Sequence, residues 1–180
     1  MKYNIIYADP PWTYRDKAAA GERGAEFKYP VMTLSDIMQL PVEKLAADDC
    51  ILFLWATMPL LPEALNVMQA WGFAYKTVAF TWCKKTKHGK WHWGMGNWTR
   101  SNPELCLLGI RGKPKRISAS VHSVVDDQIG RHSAKPDTVR RRIVNLMGDV
   151  PRIELFAREK PPGWDTWGNE VDSDIEMGRE

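Results

Sequence analysis

Hydrophobic positions follow two rhythms along the chain. Tyr3–Ala8, Cys50–Ala56, Ala74–Cys83, Glu104–Arg111 and Arg152–Ala157 are short, nearly continuous apolar runs rich in β-branched and aromatic residues. Runs of that length without strict alternation predict strands buried on both faces. Between some of them the period lengthens. Pro59–Trp71 and Pro136–Met147 hold good helix formers, open on proline and are followed by Gly72 and Gly148, the punctuation of helices. In the second helix Val139, Ile143, Leu146 and Met147 fall along one side, which puts Arg140 and Arg141 on an outward face, read as solvated with phosphate contact as the alternative. Strands alternating with helices predict an α/β sheet.

Two long segments break the pattern, Thr13–Leu34 and Lys84–Asn102. Long loops in a small domain carry function more often than not. The 180 residues suit a single domain, expected over residues 1–171, with an acidic, loosely ordered tail over 172–180. A net charge of +3 identifies no partner, but cations gather in Lys84–Lys90, Arg111–Arg116 and Arg140–Arg142. Cys50, Cys83 and Cys106 have neither paired nor metal-ligand spacing and read as buried, reduced thiols. His88 and His92 lack convergent acidic or cysteine partners, so no metal is expected. No stretch is apolar enough for a bilayer, and no secretory signal opens the chain. The expected compartment is the cytoplasm, or the nucleus in a eukaryote.

The chemistry concentrates in Ala8-Asp9-Pro10-Pro11-Trp12, directly after the first apolar run. Proline lacks the N–H of a ladder and pushes its predecessor into extended geometry, so the strand should end at Asp9 with rigidly held carbonyls behind it. Such an arrangement suits an exocyclic amine on a nucleobase, whose lone pair is delocalised into the ring. An Asp9 oxygen and the Pro10 carbonyl can accept its two hydrogens and draw the nitrogen toward tetrahedral geometry, while Pro11 stiffens the segment and Trp12 stacks on the base. A duplex base must leave its stack to reach such a site. The competing reading is a strand-ending turn over which Trp12 simply packs.

Further pieces follow in order: Tyr-Pro-Val-Met-Thr-Leu-Ser-Asp at 29–36, Leu-Phe-Leu-Trp-Ala-Thr at 52–57 and Glu-Leu-Cys-Leu-Leu-Gly-Ile-Arg-Gly at 104–112. After them come His-Ser-Ala-Lys-Pro at 132–136, Arg-Ile-Glu-Leu-Phe-Ala-Arg at 152–158 and Gly-Trp-Asp-Thr-Trp-Gly-Asn-Glu at 163–170. Together with Asp-Pro-Pro-Trp they make the chain resemble the adenine N6-methyltransferases of the mRNA adenosine methyltransferase family and their bacterial and phage DNA-modifying relatives. The resemblance covers most of the chain. It implies a single Rossmann-like domain with S-adenosylmethionine as methyl donor and a permuted order, the catalytic strand preceding the donor-binding strand.

The resemblance also implies donor-binding residues. Lys135 would take the donor carboxylate, Asp9 its amino group, and Arg158 and Asn169 its ribose or adenine, with Glu170 beside them. Glu170 stands where relatives carry an amide, and a carboxylate accepts but cannot donate as an amide does. Glu154 is a charge in an apolar strand and reads either as a donor contact or as a partner of Arg152. His132 reads as a loop or phosphate residue, because the amine proton can leave late to solvent or through Asp9.

The loop from Lys84 to Asn102 mixes cations, indoles and glycines, the make-up of a nucleic-acid clamp. Lys84, Lys85, Lys87 and Arg100 would track phosphates, and Trp98 would stack on the base; Tyr29 and Lys28 are weaker candidates. DNA is favoured over RNA on the compact format alone, and no separate recognition domain is evident. The alternatives are an RNA adenine N6-methyltransferase, a catalytically silent nucleic-acid-binding subunit and a cytosine-amine methyltransferase.

Overall fold

A computed structural model of the chain describes residues 1–12, 32–131 and 134–178. Its centre is a seven-stranded sheet. In chain order the strands are β1 (Tyr3–Ala8), β2 (Ala46–Ala56), β3 (Ala74–Trp82), β4 (Glu104–Arg111), β5 (Val124–Val125), β6 (Arg152–Leu155) and β7 (Asp165–Trp167). Across the sheet they run β5-β3-β4-β2-β1-β6-β7. β1 lies parallel to both β2 and β6, β6 is parallel to β7 and β5 to β3, while β4 alone runs antiparallel, between β2 and β3. The first residue of β4 therefore lies at the edge where the other strands end, with Glu104 opposite Trp82 and Leu105 opposite Ala56.

The continuous apolar runs are explained by burial on two faces. From β2, Cys50, Leu52, Leu54 and Ala56 enter one core beneath α1 (Leu34–Met38) and α2 (Leu61–Ala70). Ile51, Phe53 and Trp55 enter the other, with Val139, Ile143 and Met147 of α3 (Asp137–Met147). Helices on both faces of a largely parallel sheet make this a Rossmann-like α/β architecture. Thr33 caps α1 by accepting from the Asp36 N–H at 3.1 Å, and Gly148, at φ 93°, ends α3.

Several elements depart from the sequence expectation. β6 stops at Leu155 because Phe156 adopts φ 60° and packs its ring edge-on against Trp167, centroids 5.2 Å apart. The short strands β5 and β7 were not expected; each gains its hydrogen bonds from a longer neighbour rather than from its own propensity. Arg140 does not face solvent: its side chain is 13% exposed and grips Glu154. Beyond β7, Asp174 accepts from the Thr166 N–H at 2.8 Å, and Ile175 and Met177 pack on the first core. Cys50 and Cys106 are buried, whereas Cys83 is half-buried. Among the described residues, no helix is long and apolar enough to cross a membrane.

Candidate active site

Asp9 follows the last residue of β1, where two prolines forbid further pairing. Pro10 turns the chain sharply enough that its carbonyl accepts the Trp12 N–H at 2.9 Å. The Trp12 indole N–H donates to the Trp55 carbonyl at 3.0 Å, and its ring packs on the first core. The indole is thus pinned to β2. A carbonyl has two lone pairs, so the Pro10 oxygen keeps acceptor capacity after its bond to Trp12.

Four charged side chains meet at this edge of the sheet. Lys135 Nζ, on the approach to α3, lies 3.1 Å from Asp9 Oδ2 and 3.1 Å from Glu104 Oε2. Lys84, just beyond β3, places its Nζ 2.7 Å from Glu104 Oε1. The floor beneath them is aromatic: Lys135 Nζ stands 5.5 Å from the Trp55 ring centre and Lys84 Nζ 5.3 Å from that of Trp82. Trp55 and Trp82 meet edge to face, and the Trp55 N–H donates to the buried Tyr7 hydroxyl at 2.7 Å. Cations over indole faces gain a favourable contact as they lose water.

The charges respond to this crowding in opposite directions. Burial pushes the Asp9 carboxyl above its ordinary 3.8, against the pull of Lys135. Burial acts on Glu104 in the same sense, but Lys135 and Lys84 together outweigh it and hold Glu104 below its ordinary 4.5. Lys135 is also buried, yet its two carboxylate partners raise its pKa and keep it an ammonium. Tyr7 is held neutral, chiefly by burial.

The remaining expected donor contacts divide. Arg158 follows the end of β6 and lies close enough for its charge to act on Asp9. Asn169 and Glu170 are exposed just beyond β7, beside the end of β6. Gly168 makes that closeness possible: a Cβ there would meet the Ala157 carbonyl oxygen at 2.4 Å. Glu154, by contrast, has both oxygens engaged by Arg140, Nε to Oε2 at 2.7 Å and Nη2 to Oε1 at 3.0 Å. Its expected partner Arg152 pairs instead with Asp149.

The loop after β3 is fastened at its base by Asn102, which is buried. The Asn102 Oδ1 accepts the Lys84 N–H at 2.8 Å, and its Nδ2 donates to the carbonyls of Lys84 and His92. Lys84, expected on phosphate, is turned inward onto Glu104. Lys85 pairs with Asp126 and covers Trp91, Lys87 is exposed, and Arg100 donates to the Gly96 carbonyl at 2.8 Å. That bond closes a tight turn, since a Cβ on Gly96 would meet the Thr99 carbonyl at 2.2 Å. Trp98 projects from the turn at 99% exposure, with Trp93 and Met95 also exposed nearby. Tyr29, Lys28 and His132 lie outside the described residues.

Sequence reasoning missed the roles of Glu104, Asn102 and the Trp55–Trp82 floor. A charge opening an otherwise apolar strand was the available signal for Glu104.

A donor with a zwitterionic amino-acid end fits this chemistry. Its carboxylate and ammonium complement Lys135 and Asp9, and polar groups for a ribose and a base stand at the ends of neighbouring parallel strands, where open α/β sheets bind ligands. Comparison with known proteins places the arrangement in a family. The MT-A70 family model matches residues 3–170. The chain is 37% identical over 195 residues to the Type II methyltransferase M.MunI of Mycoplasma sp, covering 98% of this chain and 81% of that protein. It is 30% identical over 183 residues to the human N(6)-adenosine-methyltransferase catalytic subunit METTL3, covering 95% of this chain but 28% of METTL3. The Drosophila melanogaster N(6)-adenosine-methyltransferase MT-A70-like protein is 27% identical over 180 residues, with 27% of its length covered. With the family match running from the first residue of β1 to the turn beyond β7, the chain belongs to the MT-A70 family of methyltransferases.

Proposed function

We propose that the protein transfers a methyl group from S-adenosylmethionine to the N6 amine of adenine in nucleic acid, with DNA ahead of RNA. The observation that carries this reading is Asp9 at the end of the central parallel strand β1, within reach of Lys135 and backed by the braced Pro10–Trp12 turn. The preference for DNA rests on similarity to a type II methyltransferase over nearly the whole chain. The RNA reading draws on the METTL3 similarity, which spans about a quarter of that protein.

When bound, S-adenosylmethionine supplies a methyl on a positively charged sulfur, and the C–S bonding pair leaves with the sulfur as the N–C bond forms. The protein's part is positioning and electrostatics. Asp9 accepts one hydrogen of the adenine amine and the Pro10 carbonyl the other, which localises the nitrogen lone pair toward the methyl. Trp12, fixed by its bond to the Trp55 carbonyl, sets the plane of the base. Lys135 takes the donor carboxylate, and Arg158, Asn169 and Glu170 serve its ribose and adenine. The proton lost by the amine leaves late, to solvent or through Asp9. Trp98 and the cations Lys85, Lys87 and Arg100 hold the polymer.

Purified protein incubated with methyl-labelled donor and duplex DNA, single-stranded DNA or RNA, followed by digestion and nucleoside mass spectrometry, tests this directly. Label in N6-methyladenine that disappears in Asp9→Ala establishes the reaction and selects the polymer. Donor binding without a methylated nucleoside in any polymer would move the assignment to a silent subunit.

A further inference from the structure

We propose that Glu104, anchored by Lys84, is a positioning residue that divides Lys135 between two carboxylates and so sets how much of the Asp9 charge faces the acceptor amine. The geometry is a chain of three ion pairs, Lys84 to Glu104 at 2.7 Å, Glu104 to Lys135 at 3.1 Å and Lys135 to Asp9 at 3.1 Å. All but the last carboxylate are well covered: side-chain exposures are 20% for Lys84, 15% for Glu104 and 12% for Lys135, against 27% for Asp9. At such burial a lysine shared by two acids has no water shell to screen one from the other.

The sharing is unequal. Glu104 holds two ammonium groups, one on each oxygen, whereas Asp9 meets the Lys135 ammonium through Oδ2. Glu104 is pulled down by its two lysines against burial, while Asp9 is pushed up first by burial and then by the neighbouring Glu104 charge, against the pull of Lys135. An Asp9 fully neutralised by Lys135 would be a poor hydrogen-bond acceptor for an amine. By drawing on the same lysine, Glu104 leaves Asp9 with charge to offer.

Lys84 connects this balance to the loop that follows β3. Its backbone N–H and carbonyl are both held by Asn102, so the side chain that pairs with Glu104 is set by how the loop base is closed. A shift of the loop on a polymer would change the grip of Lys84 on Glu104, and through Lys135 the state of Asp9. Other charged or titratable groups act on Asp9 from β1, β4 and β6 and the turn after it: Tyr7, Cys106, Glu154 and Arg158. Cys106 is kept as a thiol and Tyr7 as a phenol by burial, and Glu154 is held by Arg140.

The inference rests on the methyl-transfer reading, but its test requires no turnover. The Asp9 carboxyl carbon is titrated by NMR in the full chain, its resonance identified by loss in Asp9→Asn. Lys84→Met releases Lys135 toward Glu104 and moves the Asp9 midpoint up; Glu104→Gln returns Lys135 to Asp9 and moves it down, each by about one pH unit. In the Lys135→Met background the Lys84→Met shift, which reaches Asp9 through Lys135, largely disappears, whereas the direct repulsion of Glu104 on Asp9 keeps a downward shift in Glu104→Gln. Shifts of the same sign, no shift, or a full Lys84→Met shift surviving without Lys135 would overturn the assignment. If Glu104→Gln does not fold, Lys84→Met with and without Lys135→Met decides it. A protein that methylates nothing still reports on the linkage, so the two failures are separable.

Discussion

Arg140 holds Glu154 through two parallel hydrogen bonds, Nε to Oε2 and Nη2 to Oε1, inside the layer between α3 and β6. Both side chains are nearly buried, at 13% and 10% exposure. Removing Arg140 leaves the Glu154 carboxylate without its partner in a place with little access to water. Arg140→Met should therefore destabilise the fold by about 3–5 kcal/mol, read by urea denaturation, and adding Glu154→Met should recover much of the loss.

Asp9 and Glu104 should answer acid differently. A folded pKa raised above the unfolded 3.8 means that ionised Asp9 costs stability above that window, so Asp9→Asn should leave the neutral-pH Tm equal or higher while transfer is lost. A depressed Glu104 contributes stability that is present above its ordinary 4.5 and is lost as pH falls through its lower folded value. Glu104→Gln should lower Tm at neutral pH, with the difference fading in acid. Thermal melts across pH check both signs.

Gly168 lies against backbone with no room to yield. Its added Cβ would meet the Ala157 oxygen at 2.4 Å and nitrogen at 2.8 Å, forcing β6 and β7 apart. Gly168→Ala should cost about 1–3 kcal/mol of stability. Donor affinity by calorimetry should fall as well, because Arg158 and Asn169 flank that contact.

Trp98 is 99% exposed on a turn braced by Arg100, so its removal has no packing to lose. Trp98→Ala should leave Tm unchanged. It should raise Kd for nucleic acid by roughly 5- to 150-fold, the equivalent of about 1–3 kcal/mol for one stacked base. Equal affinity would assign the exposed indole to something other than base stacking.

The sequence by itself determined the strands with long apolar runs, the two main helices, and the end of β1 at Asp9, because burial on two faces and proline are local signals. It also carried Asp9 and Lys135 as candidates through motif order, and the structure brings them together at 3.1 Å. What only the tertiary structure decided is which charge meets which. Arg140 read as outward on a helical wheel, but Glu154 on the adjacent strand turns it inward. Lys84 read as a phosphate contact, but the reversal of β4 brings Glu104 to the same edge and captures it. β5 and β7, at two and three residues, exist through pairing with β3 and β6. Charge partners and edge strands depend on contacts far apart in sequence, and those distances are set by the sheet order rather than by any local pattern.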